Sequence, residues 1–290
     1  MMVSLHGGHS GQFCAHAGPW HAAEVLKPPP RAAGYHTYGV TEHAPRSEAR
    51  FLYPEELELG WTTKTLADNF HAYAREAAAL AQEFADRLTI LCGFEIEVVP
   101  AREYAKLMSS LRHMYHFQYM VGSVHYVDEI LIDGALSEFN RAVTHCGGVE
   151  PLAVRYYDAV AAMIEEMRPE VVAHFDLIRK NAPDEASVDS AKIRAAAERA
   201  LAAVAAHGAI LELNTAGYRK GLGRPYLAPW MLDRAREMNL PVCFGDDSHG
   251  PSDVGAGMNQ ARQYLLDHGI REITYLARER GKLVKRKAPL

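Results

Sequence analysis

An α/β barrel is the fold class this sequence predicts, on three observations. Short apolar runs alternate with helical stretches seven times, which argues for a parallel sheet covered by helices. Nearly every apolar run ends in a residue able to bind a metal or move a proton. Those ends converge on one face in a (β/α) barrel, whereas an open doubly wound sheet would string them along an edge. The length of 290 residues is enough for one large core or two medium ones, and such barrels commonly run to about 250 residues as one domain. No internal repeat or low-complexity linker interrupts the chain, so residues 1–290 are expected to form a single domain.

The elements follow in order. Met2–Leu5 is a short apolar start, followed by His6-Gly7-Gly8-His9 and then His16. Trp20–Ala33 holds Pro28, Pro29 and Pro30, so one unbroken helix cannot span it. Tyr35–Val40 reads as a strand closed by Thr41-Glu42-His43, with Arg46 just beyond. Ala49–Gly60 reads as a loop with an acidic patch. Thr65–Arg87 is helical, and Leu88–Cys92 is the next apolar run, ended by Gly93-Phe94-Glu95-Ile96-Glu97. Arg102–His116 is helical, and the strand Gln118–Ser123 leads to His125. Asp133–Val149 reads as a polar excursion, and Leu152–Met167 as a helix stopped by Pro169. The strand Glu170–Ala173 ends in His174-Phe175-Asp176. Ser187–His207 is an Ala-rich helix stopped by Gly208, and the strand Ala209–Leu213 ends at Asn214. Leu232–Asn239 is a helix, followed by the strand Val242–Phe244, Gly245, and Asp246-Asp247-Ser248-His249. Met258–His268 is a helix, and the basic tail reads as exposed.

Composition narrows the function. Net charge is −5 and aromatic residues do not interleave with basic ones, which speaks against nucleic acid as a partner. No run approaches about 18 apolar residues, so no membrane span is expected. The N-terminus has neither the basic start nor the apolar run of a secretory signal. The four cysteines are scattered with no CxxC, and Cys92 and Cys243 sit in apolar runs, which suggests a reducing, cytoplasmic setting. Histidine is over-used, at 15 copies.

Imidazole and carboxylate donors suit zinc, iron or manganese. The candidates are His6, His9, His16, His43, Glu95, His125, His174, Asp247 and His249. Nine donors exceed the needs of one ion, so two or three divalent ions are expected, with Glu95 as the bridge. On a regular strand, residues three apart face opposite ways, so aiming both His6 and His9 at one ion needs a bulge at Gly7-Gly8. The expectation is that both histidines bind.

The runs TEHAPRSEARFLYPEE, GFEIE, VGSVH, AHFDLIRK, ELNTAGYRKG and GDDSHG resemble the histidinol-phosphatases of the polymerase-and-histidinol-phosphatase (PHP) family, of the fungal type. The resemblance covers nearly the whole chain in order. It departs at the opening motif, where the family has His-x-His, and at the triple proline, where the family has a helix. It implies a distorted (β/α)7 TIM-like barrel, a trinuclear metal centre and hydrolysis of L-histidinol phosphate, a small-molecule ester, in histidine biosynthesis. The nucleophile expected on that basis is a hydroxide between two ions. The resemblance also places Arg179 and Arg219 where the family carries basic residues for phosphate, with Arg46 a weaker candidate. Asp247, His249, Glu95 and Asp176 are then the catalytic candidates; Asp176 and His249 are alternative proton donors to the leaving group. Glu97 and Glu42 are candidates to read the substrate's imidazole and amine. The rival readings are a PHP phosphoesterase for another monoester, an amidohydrolase, whose bridge is typically a lysine, and a metal-binding regulatory domain.

Overall fold

The computed structural model describes residues 1–26 and 34–290. Seven parallel strands form one sheet: β1 (Met2–Ser4), β2 (Tyr35–Val40), β3 (Thr89–Glu95), β4 (Tyr119–Gly122), β7 (Val171–Val172), β8 (Ile210–Asn214) and β9 (Val242–Gly245), hydrogen-bonded in that order. Between β4 and β7 lies a two-stranded hairpin, β5 (Tyr126–Val127) and β6 (Ile130–Leu131). The sheet meets its own beginning: Leu5 N–H donates to Phe244 O at 2.9 Å and Asp246 N–H to His6 O at 3.1 Å. This is the distorted seven-stranded barrel that the sequence predicts. Every residue of β8 and β9 is buried, as their apolar runs require of parallel strands covered on both faces.

Helices wrap the outside. They are α1 (Ala22–Leu26), α2 (Pro54–Glu58), α3 (Thr63–Glu83), α4 (Tyr104–Tyr115), α5 (Leu136–Cys146), α6 (Val149–Met167), α7 (Ala191–His207), α8 (Ala216–Arg219), α9 (Pro229–Glu237) and α10 (Met258–Asp267). Two of the long helices show a local reason for an end. Thr62 Oγ1 accepts from Thr65 N–H at the start of α3, and Gly208, at φ 66°, closes α7 where the sequence placed the stop. The triple proline lies outside the described residues.

Three expectations change. Ala49–Gly60 is not a plain loop: a 3₁₀ turn at Ala49–Phe51 leads into α2, whose first turn is set by Pro54 and by Glu56 accepting from Tyr53 N–H at 2.8 Å. Asp133–Val149 contains α5, because Phe139, Ala142 and Cys146 share one buried face and Glu138 accepts from Ala135 N–H. The basic tail folds into an antiparallel hairpin, β10 (Glu272–Glu279) and β11 (Lys282–Pro289). Its turn is Arg280-Gly281, both at positive φ, and Ile273, Leu276 and Ala288 are buried beneath it.

Candidate metal centre

The C-terminal ends of the strands open onto a cavity of about 370 Å³. Glu95 stands at its centre, 1% exposed at the end of β3. Its oxygens lie 2.9 Å from His43 Nδ1, 3.0 Å from His174 Nε2, and 3.4 Å from both His6 Nε2 and His125 Nε2. Asp247 Oδ1 lies 3.6 Å from His9 Nε2 and 3.9 Å from His6 Nε2. At the outer edge His16 Nε2 and His249 Nε2 are 3.1 Å apart. The nine residues singled out as ligands therefore gather in one place.

His6 and His9 both reach it. Gly7 at φ 151° and Gly8 at φ 79° turn the chain between them, a path that side chains rarely allow. A methyl at Gly7 would fall 2.3 Å from Asp246 Oδ1. The turn lies past the end of β1, and the register shift in the β1–β2 ladder falls at Met2/Val3 instead, so this is a glycine turn and not a ladder bulge.

Carboxylates stand behind the innermost rings. His6 Nδ1 is 3.0 Å from Glu212 Oε1, His9 Nδ1 is 2.9 Å from Glu42 Oε1, and His125 Nδ1 is 3.2 Å from Glu97 Oε2. A ring that donates from Nδ1 has its lone pair on Nε2, and here each Nε2 faces the carboxylate of Glu95 or Asp247. Two acceptors face to face repel unless a cation or a shared proton lies between them. His6 Nε2, His9 Nε2, both nitrogens of His43 and His174 Nδ1 are buried without a hydrogen-bond partner. His43 Nδ1 is close to Glu95 yet lacks the alignment of a hydrogen bond. Donor atoms within 4.8 Å of one another form four groups: His6, His9 and Asp247; His6, Glu95 and His174; His43, Glu97 and His125; and His9, Cys14, His43 and His249. This donor set fits divalent ions held by nitrogen and oxygen, more than one at a time.

The electrostatics agree. Burial opposes the charged form of Glu95, but His43, His6 and His125 hold its carboxyl well below the usual carboxylate range. Burial likewise opposes charge on Asp247, and His6, His249 and His9 hold it far down. Burial, reinforced by His9, pushes His249 down to about 3.

Glu212 was not singled out from the sequence. It lies in the middle of β8, fully buried, and also accepts from His174 N–H at 2.8 Å and from Asn214 Nδ2 at 3.0 Å. Gly245 on the neighbouring strand makes room for it: a methyl there would fall 1.6 Å from Glu212 Oε1. The signal was a glutamate inside the apolar run Ile-Leu-Glu-Leu, which a buried strand tolerates only with partners. Glu42 and Glu97, expected to read substrate, are buried behind rings.

Four other residues singled out from the sequence meet protein partners here. Asp176 is fully buried and accepts from Leu227 N–H at 2.8 Å and Ala228 N–H at 2.9 Å, with Arg179 Nε 3.1 Å away. A carboxylate held in this way clamps the turn at Leu227 and Ala228. Arg179 is spent on Asp176 and Glu185. Arg219 Nη2 donates to the carbonyls of Asp246 and Asp247 at 2.7 and 2.8 Å, holding the β9 terminus where Asp247 sits at φ 47°. Arg46 pairs with Glu56 and stacks 4.1 Å from the centre of the Tyr53 ring. The cations on the cavity wall are their sequence neighbours, Lys180 and Lys220. Lys180 Nζ is 2.6 Å from Asp133 Oδ1.

A PHP-domain family model matches residues 9–216. A Schizosaccharomyces pombe protein named "Probable histidinol-phosphatase" is 35% identical over 93% of this chain and 88% of its own length. The Saccharomyces cerevisiae histidinol-phosphatase is 29% identical over 90% of this chain and 88% of its own. The crystal structure of a Lactococcus lactis histidinol phosphate phosphatase, complexed with zinc, L-histidinol and phosphate, superposes with TM-score 0.70 at 19% identity, covering 97% of this chain and 98% of that one. A Listeria monocytogenes structure gives TM-score 0.78 at 23% identity over 89% of this chain and 99% of its own, so both share this fold.

Proposed function

The chain belongs to the PHP-domain family, and on that premise we propose that it is a histidinol-phosphatase that hydrolyses L-histidinol phosphate to L-histidinol and phosphate. The observation that carries this reading is the gathering of eight imidazole and carboxylate donors around Glu95, with lysines on the cavity wall. His6, His9, Glu95, Asp247, His125 and His174 would hold the inner ions, and His16, His43 and His249 would hold one nearer the mouth. Bound divalent ions supply Lewis acidity, which lowers the pKa of water and screens phosphoryl charge.

The chain's own residues do the rest. Lys180 and Lys220 meet the outer phosphate oxygens as point charges. The Asp133 carboxylate beside Lys180 holds that ammonium in place. Tyr53 and Leu131 give the alcohol half an apolar wall, and the exposed carboxylate of Glu55 draws its cationic amine. The carboxylates behind His6, His9 and His125 keep those rings in one tautomer and one orientation. Residues 1–290 act as one catalytic domain. The substrate is a small ester and not nucleic acid, in keeping with a net charge of −5. No helix among the described residues is long and apolar enough to cross a membrane. With Cys14, Cys92, Cys146 and Cys243 all free, we place the enzyme in the cytoplasm.

The test is phosphate release from L-histidinol phosphate against a panel of phosphomonoesters, with metal content measured in the same sample. L-Histidinol phosphate should show the highest kcat/KM. A different monoester in first place would replace the substrate assignment, and hydrolysis of none by metal-loaded protein would remove the phosphatase reading.

A further inference from the structure

The phenol of Tyr226 is 1% exposed, its hydroxyl has no hydrogen-bond partner, and it lines the cavity beside the candidate ligands. Its ring stands edge-on to His174, centroids 6.2 Å apart. A buried hydroxyl without a partner is costly, and one facing a cavity has an obvious use.

The backbone holds Tyr226 there under strain. Its own N–H donates to Asn214 O at 2.9 Å, which fixes it to the end of β8. The next residue, Leu227, sits at φ 101°, a region that branched side chains avoid. Asp176 accepts from Leu227 N–H and Ala228 N–H, and Tyr264 Oη donates to Leu227 O at 3.0 Å. Strain of this kind persists only where the surroundings over-determine it, and it clusters at functional sites. Here the strained turn fixes where the phenol points. A phenol keeps its proton at neutral pH, so the hydroxyl is a donor.

The leaving alkoxide needs a donor. Asp176 is held by two backbone N–H groups, and His249 stands among the candidate ligands with its Nδ1 on the Asp247 carbonyl. We propose that Tyr226 is a catalytic residue that donates its O–H as a hydrogen bond to the ester oxygen of the bound phosphomonoester while the P–O bond breaks. This rests on the phosphatase reading above. The bond electrons pass to the ester oxygen, and Tyr226 stabilises the charge that develops there without giving up its proton. Water supplies hydroxide to phosphorus and releases its other proton to solvent, so with the proton the alkoxide takes back the ester and one water give the alcohol and hydrogen phosphate. Solvent protonates the alkoxide through the open mouth.

Tyr226→Phe removes the hydroxyl and keeps the ring. A single preorganised donor is worth about 10²–10³ in kcat. The variant should therefore lose about that factor on L-histidinol phosphate, whose alkoxide is a strong base. On p-nitrophenyl phosphate, whose leaving phenolate is stable unaided, it should stay within a few-fold of the parent. Its metal content should match the parent's. An equal fall on both esters, no fall on the alkyl ester, or lost metal would each overturn the role. If the parent prefers another alkyl phosphate, the substrate assignment fails on its own, and the alkyl-to-aryl contrast is read on that ester.

Discussion

The inner and outer ligands of the centre are built differently. His6, His9 and His125 are at most 3% exposed, and each leans its Nδ1 on a buried carboxylate. His16 is exposed, and His249 leans its Nδ1 on a backbone carbonyl, that of Asp247. A carboxylate behind a ring makes it a better donor and fixes its aim; a carbonyl does the second and little of the first. The difference teaches that the inner ions should be held tightly and the outer one exchangeably, although all are bound by imidazole.

The sharpest way to break this comparison is Glu95→Ala. It removes the carboxylate that four rings face and leaves the inner donors without a common partner. Activity should vanish and metal analysis should show the inner ions gone; a variant that kept them would end the distinction. Glu212→Gln should come next. It keeps the shape but weakens the acceptor behind His6, and metal affinity should fall about 10–100-fold at the inner position. Competition against a graded series of chelators measures this, and a loss at the outer position instead would invert the comparison. His16→Ala should have the smallest effect. One equivalent of metal should be lost while the inner ions resist the same chelator, and kcat should fall less than in Glu212→Gln. Simultaneous loss of all ions would mean that the positions are one cooperative unit.

The candidate ligands other than His16 were legible because they follow the ends of apolar runs, where alternation of elements announces the face of the barrel. The supporting carboxylates were harder to see. Glu212 hides within a run that otherwise reads as core, and its partners His6 and His174 lie 206 and 38 residues away in the chain. The basic residues that line the cavity lie one position from the arginines the motifs suggested. Lys180 follows a 3₁₀ turn and Lys220 follows α8, where neighbouring side chains point about 100–120° apart, so a motif names the neighbourhood and not the residue that faces the cavity. Asp176 shows the opposite error. Its place beside His174 suggested chemistry, but two backbone N–H groups claim it. Polar residues also concealed α5, whose apolar positions are few but fall on one side, and the terminal hairpin, which buries four residues in a row in β10.

The sheet's meeting point has a consequence for how the molecule holds together. Leu5 and Phe244 lie more than two hundred residues apart in sequence, so joining them is among the slowest contacts a folding chain can make. His6 and His9 lie on one side of that joint and Asp247 on the other. An ion gripped by all three therefore acts as a rivet across the seam, and depleting metal should loosen the barrel along this line first, as faster amide exchange at Leu5 and Asp246.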